Sequence, residues 1–288
     1  MKLGFIGLGS LGTPIALNLA ASGHELYVHN RTASKVAPLT EKGAIACDTI
    51  AGLAQNCAVV FTIVSDDAAL KSVCKGENGL FRHLAKDSIH VSLSTILPAT
   101  AKELADEHLE HQQYYLASPV FGRPEAAVAR TLNYVISGPG SIRQKIAPLL
   151  KDAGGAGVWD FGENITAANT VKLCGNFLIA AALEAIGESV ALAGKSGVDA
   201  TRMWELFGQT LFNTPLYQNY SNIILQQKFE PAAFTVQLGL KDMNLVLQQA
   251  GSVQQTMPLA SLLKEHLQQL VGIGKDQADW SAVATAAR

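Results

Sequence analysis

Short apolar runs recur through the first half of the chain, at 2–7, 24–30, 58–64, 88–93, 114–120, 133–137 and 157–161. They are rich in β-branched and aromatic residues and bounded by turn-forming or charged positions, so each reads as a strand. Helical stretches fall between most of them. The first spans 11–22 and ends at Gly23, with Pro14 near the first turn, where a missing N–H costs little. Strands alternating with helices predict a mainly parallel, doubly wound sheet with helices on both faces. After Gly162 the period changes. One long helix is predicted from about Thr166 to Ser196, followed by helical segments near 199–211, 214–227, 234–250, 257–272 and 279–287, with no further strand.

The chain therefore reads as an α/β domain followed by an all-α domain, joined by the long helix. The expected boundaries are 1–163 and 164–288. A length of 288 residues suits two cores of ordinary size. There is no internal repeat and no low-complexity linker.

Composition narrows the functional classes. Hydrophobic residues make up 48% and charged residues 16%, as in a folded, core-rich protein. A formal net charge of −2 supplies no basic field for a nucleic-acid backbone, so no nucleic-acid partner is expected. Cys47, Cys57, Cys74 and Cys174 form no CxxC pair and no histidine cluster accompanies them, so no metal is expected. They read as small buried hydrophobes in a reducing compartment. His108 and His111 are three apart on a predicted helix, and the neighbouring Glu107 and Glu110 make that face read as solvated. Two segments mimic membrane signals. The N-terminus resembles a signal peptide but carries four glycines and Pro14 by Ser22 and continues into a second strand. The run Phe177–Gly194 is apolar but interrupted by Glu184 and Glu188, which argues for a buried helix. The expectation is a cytoplasmic protein without a membrane partner.

The candidate chemistry begins at Gly7-Leu8-Gly9-Ser10-Leu11-Gly12. This is GxGxxG between a predicted strand and a predicted helix, the context that a dinucleotide site of the Rossmann type requires. Gly7 allows the tight turn, Gly9 lets the backbone approach a pyrophosphate, and Gly12 lets helix and strand pack closely. The helix N-terminus then offers N–H groups to the phosphates. An NAD site usually carries an acid at the end of the second strand, to hold the ribose 2′-hydroxyl. Here that strand ends in Asn30-Arg31-Thr32. Arg31 can pair with a 2′-phosphate and its neighbours can hydrogen-bond it, which favours NADPH with NAD still possible. The alternative for Arg31 is an ordinary surface charge. Val64, Ser65, Asp66, Ser94 and Thr95 end two further strands and are expected at the same crevice, although Ser65 and Asp66 serve equally well as helix caps.

Larger blocks carry a resemblance across essentially the whole chain. They are Gly4 to Gly12, Ser94-Thr95, Ala117-Ser118-Pro119-Val120-Phe121-Gly122, Asn169-Thr170-Val171-Lys172-Leu173-Cys174-Gly175-Asn176 and Leu240-Lys241-Asp242-Met243. In these the sequence resembles the β-hydroxyacid dehydrogenases. The resemblance implies hydride transfer between NAD(P)H and a small acid bearing a hydroxyl or carbonyl. It implies Lys172 as general acid/base, Asn176 as a substrate-positioning group and Lys241 near the nicotinamide. Independently of it, Lys172 and Asn176 are four apart on one helix face with apolar neighbours. Desolvation of such a lysine favours its neutral form and suits proton transfer. The alternative is a lysine that snorkels from an interface.

The resemblance departs at the substrate loop. The family's run is of the Pro-x-Ser-Gly-Gly type, whereas this chain has Phe121, Gly122 and Arg123 after Pro119-Val120. Phe121 removes a donor and adds bulk. Arg123 either clamps a carboxylate from another angle or faces solvent. The leading expectation is an NADPH-dependent reductase of a small aldehyde or keto acid, working as a homodimer or homotetramer. The alternatives are an imine reductase on the same fold, which usually lacks the lysine, and a nucleotide-binding scaffold without catalysis.

Overall fold

In the computed structural model the described residues are 1–286. The chain divides into two compact units, Met1–Lys172 and Leu173–Arg288.

The first unit is built on six parallel strands: β1 (Lys2–Ile6), β2 (Glu25–His29), β3 (Ile45–Ala46), β4 (Val59–Thr62), β5 (Ile89–Ser92) and β6 (Tyr114–Ala117). Their spatial order is β3-β2-β1-β4-β5-β6, so the chain reverses direction of growth between β1 and β4. The intervening helices are α1 (Gly12–Ala21), α2 (Ala37–Thr40), α3 (Ile50–Ala54), α4 (Asp67–Cys74), α5 (Leu80–His83) and α6 (Pro98–Glu110). Alternating strand residues feed two cores, because successive side chains point to opposite faces. Leu3, Phe5, Val59, Phe61, Ile89 and Val91 face one core, and Ile6, Val60, Tyr115 and Ala117 the other.

The sheet ends sooner than the apolar pattern predicts. Run 114–120 splits at Ser118-Pro119, since Pro119 has no N–H with which to continue a ladder. The chain turns instead into a second sheet of β7 (Val120–Phe121), β8 (Leu132–Ile136) and β9 (Gly155–Asp160), in which β7 pairs antiparallel to β8. Helices α7 (Pro124–Val128) and α8 (Gly140–Asp152) connect them.

Helix α9 (Ala167–Lys195) runs 29 residues and carries both Lys172 and Asn176. By length and composition it is apolar enough to cross a membrane. Its Glu184 is nonetheless buried against His266 at 2.9 Å, as in a core helix. Within the second unit follow α10 (Ala200–Gln209), α11 (Pro215–Gln226), α12 (Val236–Ser252) and α13 (Pro258–Gly272). The segment predicted as a helix over 279–287 is a 3₁₀ helix over Trp280–Thr285, and residue 287 lies outside the described residues.

Candidate active site

The turn from β1 into α1 leaves no room for side chains at two points. A Cβ on Gly7 would come 2.0 Å from the Ile63 carbonyl oxygen, and its φ of +103° suits only glycine. A Cβ on Gly12 would come 2.0 Å from the Gly7 oxygen. Gly9 differs: a Cβ there would meet nothing within 4 Å, so its backbone is open to an approaching group. No side chain caps the first turn of α1, where the Thr13 N–H is taken by the Gly9 carbonyl at 3.0 Å and the start of the helix is otherwise without a side-chain acceptor. Leu8 is buried, Ser10 exposed and Leu11 half-buried. An open glycine, an uncapped helix start and two positions without space for a Cβ fit a dinucleotide pyrophosphate.

The end of β2 is tied to this turn. The Leu8 N–H donates to Asn30 Oδ1 at 2.8 Å, and Asn30 Nδ2 donates to the Thr32 carbonyl at 2.9 Å. Asn30 thus holds the loop, while Arg31 and Thr32 are exposed. Two other strand ends are cross-linked in the same way. The Val64 N–H donates to Ser94 Oγ at 2.9 Å. Asp66 caps α4 by accepting from the Ala69 N–H at 2.8 Å, and it also accepts from Ser65 Oγ at 2.8 Å. Asp66 thus forms the helix cap that its position in the sequence allows. Thr95 is half-buried beside Ser94.

Lys172 is buried at 9% exposure, and its Nζ sits 4.1 Å from the centroid of the Phe121 ring. Gly122, at φ +138°, turns the chain directly after Phe121. Arg123 is half-buried, with Nε 3.7 Å from Glu125 Oε2. One turn beyond Lys172, the buried Asn176 donates from Nδ2 to Asp242 Oδ2. Lys241 Nζ lies 2.9 Å from the other oxygen of the same carboxylate. Asp242 is fully buried and was not among the expected site residues. The signal for it was an acid inside an apolar helical run, where burial demands charge or hydrogen-bond partners.

Three expectations about histidine and cysteine need correction. His108 is not on a solvated face: it is fully buried, and only His111 is exposed. A histidine cluster does accompany a cysteine, since Cys74, His90 and His108 gather in the core. Hydrogen bonding accounts for every ring nitrogen of this group. Gln113 Nε2 donates to the Phe81 and Leu84 carbonyls, so its Oε1 accepts from His108 Nδ1 at 2.9 Å. His108 Nε2 then accepts from His90 Nδ1 at 2.8 Å, and His90 Nε2 accepts from Thr62 Oγ1 at 2.8 Å. Both rings are thereby neutral. Burial lowers the His108 pKa to about 4 and holds His90 well below its ordinary value. Among the cysteines, Cys57 and Cys74 are buried as expected, with the Cys57 thiol pushed up to about 12 by burial. Cys174 is exposed instead, because it lies on the outer face of α9.

The first unit matches the family described as the NAD binding domain of 6-phosphogluconate dehydrogenase, over residues 2–168. Residues 166–287 match the family described as NAD-binding of NADP-dependent 3-hydroxyisobutyrate dehydrogenase. The chain is 41% identical to an uncharacterized oxidoreductase, YfjR, of Bacillus subtilis (strain 168), over 98% of each chain. It is 30% identical to the 2-hydroxy-3-oxopropionate reductase of Escherichia coli (strain K12), over 99% of this chain and 97% of that one. The solved structure of Psf3 in complex with NADP+ and 2-OPP shares the fold, with a TM-score of 0.89 at 24% identity, over 99% of this chain and 100% of that one.

Proposed function

We propose, on the ground that the chain belongs to the β-hydroxyacid dehydrogenase family and is an NAD(P)-dependent oxidoreductase acting on CH–OH groups, that it is an NADPH-preferring reductase of a small aldehyde or semialdehyde acid. The observation that carries this reading is Lys172. It is a buried lysine on the helix that follows a dinucleotide-binding fold.

When bound, the nicotinamide supplies the hydride to the carbonyl carbon, or takes it up in the reverse direction. Lys172 donates a proton to the developing alkoxide in reduction and removes it from the hydroxyl in oxidation. Asn176 orients the substrate oxygen, and Asp242 fixes the Asn176 amide through the hydrogen bond from Nδ2. The Gly7-Leu8-Gly9-Ser10-Leu11-Gly12 turn holds the pyrophosphate. Arg31 and Thr32 take the 2′-phosphate, with Asn30 keeping their loop against Leu8. Val64, Ser65, Asp66, Ser94 and Thr95 line the nicotinamide half, and Lys241 stands near the ring. Gly122 and Arg123 border the substrate with Phe121. Retention of Lys172 favours carbonyl reduction over imine reduction, and a buried lysine with a buried asparagine one turn on favours an enzyme over a scaffold. The exposed apolar residues Leu178, Leu192, Leu206 and Leu211 favour a homodimer or homotetramer.

The test is a titration with NADPH and with NADH, followed by turnover on short aldehydes. NADPH binds more tightly, and Arg31→Ala weakens NADPH about tenfold while leaving NADH unchanged, as expected for one charge-assisted contact. Tighter binding of NADH by the wild type would contradict the cofactor assignment. Failure of every aldehyde and semialdehyde to oxidise NADPH would contradict the reaction.

A further inference from the structure

Phe121 stands where the resemblance leads one to expect a small polar residue, and its position is set by rigid neighbours. It belongs to β7, opposite Asn133 of β8. The next residue, Gly122, has a φ of +138°, and a Cβ there would come 2.4 Å from Leu132 Cδ2. The φ of +138° is what calls for glycine here, since the Leu132 methyl is a side-chain tip, and the strand before it aims the ring. Phe121 and Val171 both pack against the same core cluster. The ring face lies over Lys172, with Nζ 4.1 Å from the centroid, well inside the range in which an aromatic quadrupole attracts an ammonium.

A substrate oxygen that exchanges a proton with Lys172 must come within about 3 Å of Nζ. On the side of Nζ that Phe121 covers, the ring then comes within van der Waals reach of the group that carbonyl carries. A phenyl ring offers no hydrogen bond to a carboxylate, and a carboxylate left against it loses hydration without compensation. An apolar substituent gains burial there instead.

We propose that Phe121 is a positioning and specificity-determining residue. Its ring holds the Lys172 ammonium in place, and it selects carbonyl substrates that carry an apolar group beside the reacting carbon over short, carboxylate-bearing ones. This rests on the assignment of Lys172 as the proton donor.

Three variants test it: Phe121→Leu, which keeps bulk without a π face, Phe121→Tyr, which keeps the face, and Phe121→Ser, which restores a small donor. Each is assayed with NADPH on an apolar aldehyde (3-methylbutanal) and on succinic semialdehyde, with NADPH affinity as the check on folding. Loss of the ring face removes a contact that favours the ammonium. The alkaline limb of kcat therefore moves down by about half to one pH unit in Phe121→Leu and stays in place in Phe121→Tyr. Phe121→Ser shifts the ratio of kcat/KM toward succinic semialdehyde by roughly tenfold or more. An unmoved limb in Phe121→Leu, or an unchanged ratio in Phe121→Ser, would overturn the role of Phe121 alone. A wild type inactive on both substrates, or one whose activity survives Lys172→Ala, would overturn the role of Lys172 and this inference with it.

Discussion

Gly12 is the residue at which the first turn of α1 comes closest to the Gly-rich loop, with space for a hydrogen but not for a methyl group. The obstacle is a backbone oxygen, which cannot rotate away as a side-chain tip would. Gly12→Ala therefore displaces α1 from β1. The expected cost is about 1–3 kcal/mol, with weaker NADPH binding, read as a lower Tm and a smaller NADPH-induced rise in Tm. A variant with wild-type values for both would show that the close approach is not required. The three glycines were legible in the sequence because their spacing at a strand–helix junction has a mechanical reason. The Asp66 cap was legible too, since its partner Ala69 is three residues on, but the work of Asn30 and Ser94 was not. Their side chains accept from the Leu8 and Val64 N–H groups, which lie on segments far apart in the chain. Only the fold brings those together. Asp242 was quoted in a motif yet given no role, for the same reason: its partner Asn176 lies 66 residues away.

Elements α4, β5 and α6 meet through the buried set of Cys74, His90 and His108. His108 continues the buried stripe of α6, after Ala101 and Leu104. The spacing contained that signal, but the adjacent Glu107 and Glu110 drew the reading toward solvent. The network has a consequence for stability. Both histidines titrate lower in the folded protein than in the unfolded chain, where a histidine has a pKa near 6.5. Below that pH the unfolded chain binds more protons, so folding stability is complete above about pH 6.5 and falls as the pH drops. For His108 the loss continues down to about pH 4. Denaturant unfolding between pH 7 and 5 is expected to show a loss that begins near pH 6.5 and steepens toward about 1.4 kcal/mol per pH unit for each histidine that stays neutral when folded. His108→Phe lessens that slope, and the same slope in wild type and variant would contradict the assignment. A second element-scale difference lies at Pro119. The apolar pattern ran through 114–120, and the missing N–H decided where one sheet stopped and the next began.

At the scale of the molecule, period and order carried most of the architecture. Short runs alternating with helices specified the parallel sheet, and the change after Gly162 specified a helical second half that opens with α9 at Ala167. The separate sheet of β7, β8 and β9 was not legible, because strand membership depends on pairing and apolar pattern reports only burial. For the candidate site, the nucleotide-binding turn could be read from the residues themselves. The reaction could be read only through the blocks around Lys172 and Lys241. What the sequence left open, the role of Phe121 and Arg123, depends on what the Phe121 ring touches. The central claim is that Lys172 is the proton donor of an NADPH-dependent reduction. The most direct measurement follows NADPH oxidation by a panel of short aldehydes and semialdehydes, in wild type and Lys172→Ala side by side, at matched cofactor saturation. The account predicts turnover in the wild type and a loss of about 10²–10⁴-fold in kcat in the variant, with NADPH affinity little changed. Turnover by Lys172→Ala at the wild-type rate would contradict it.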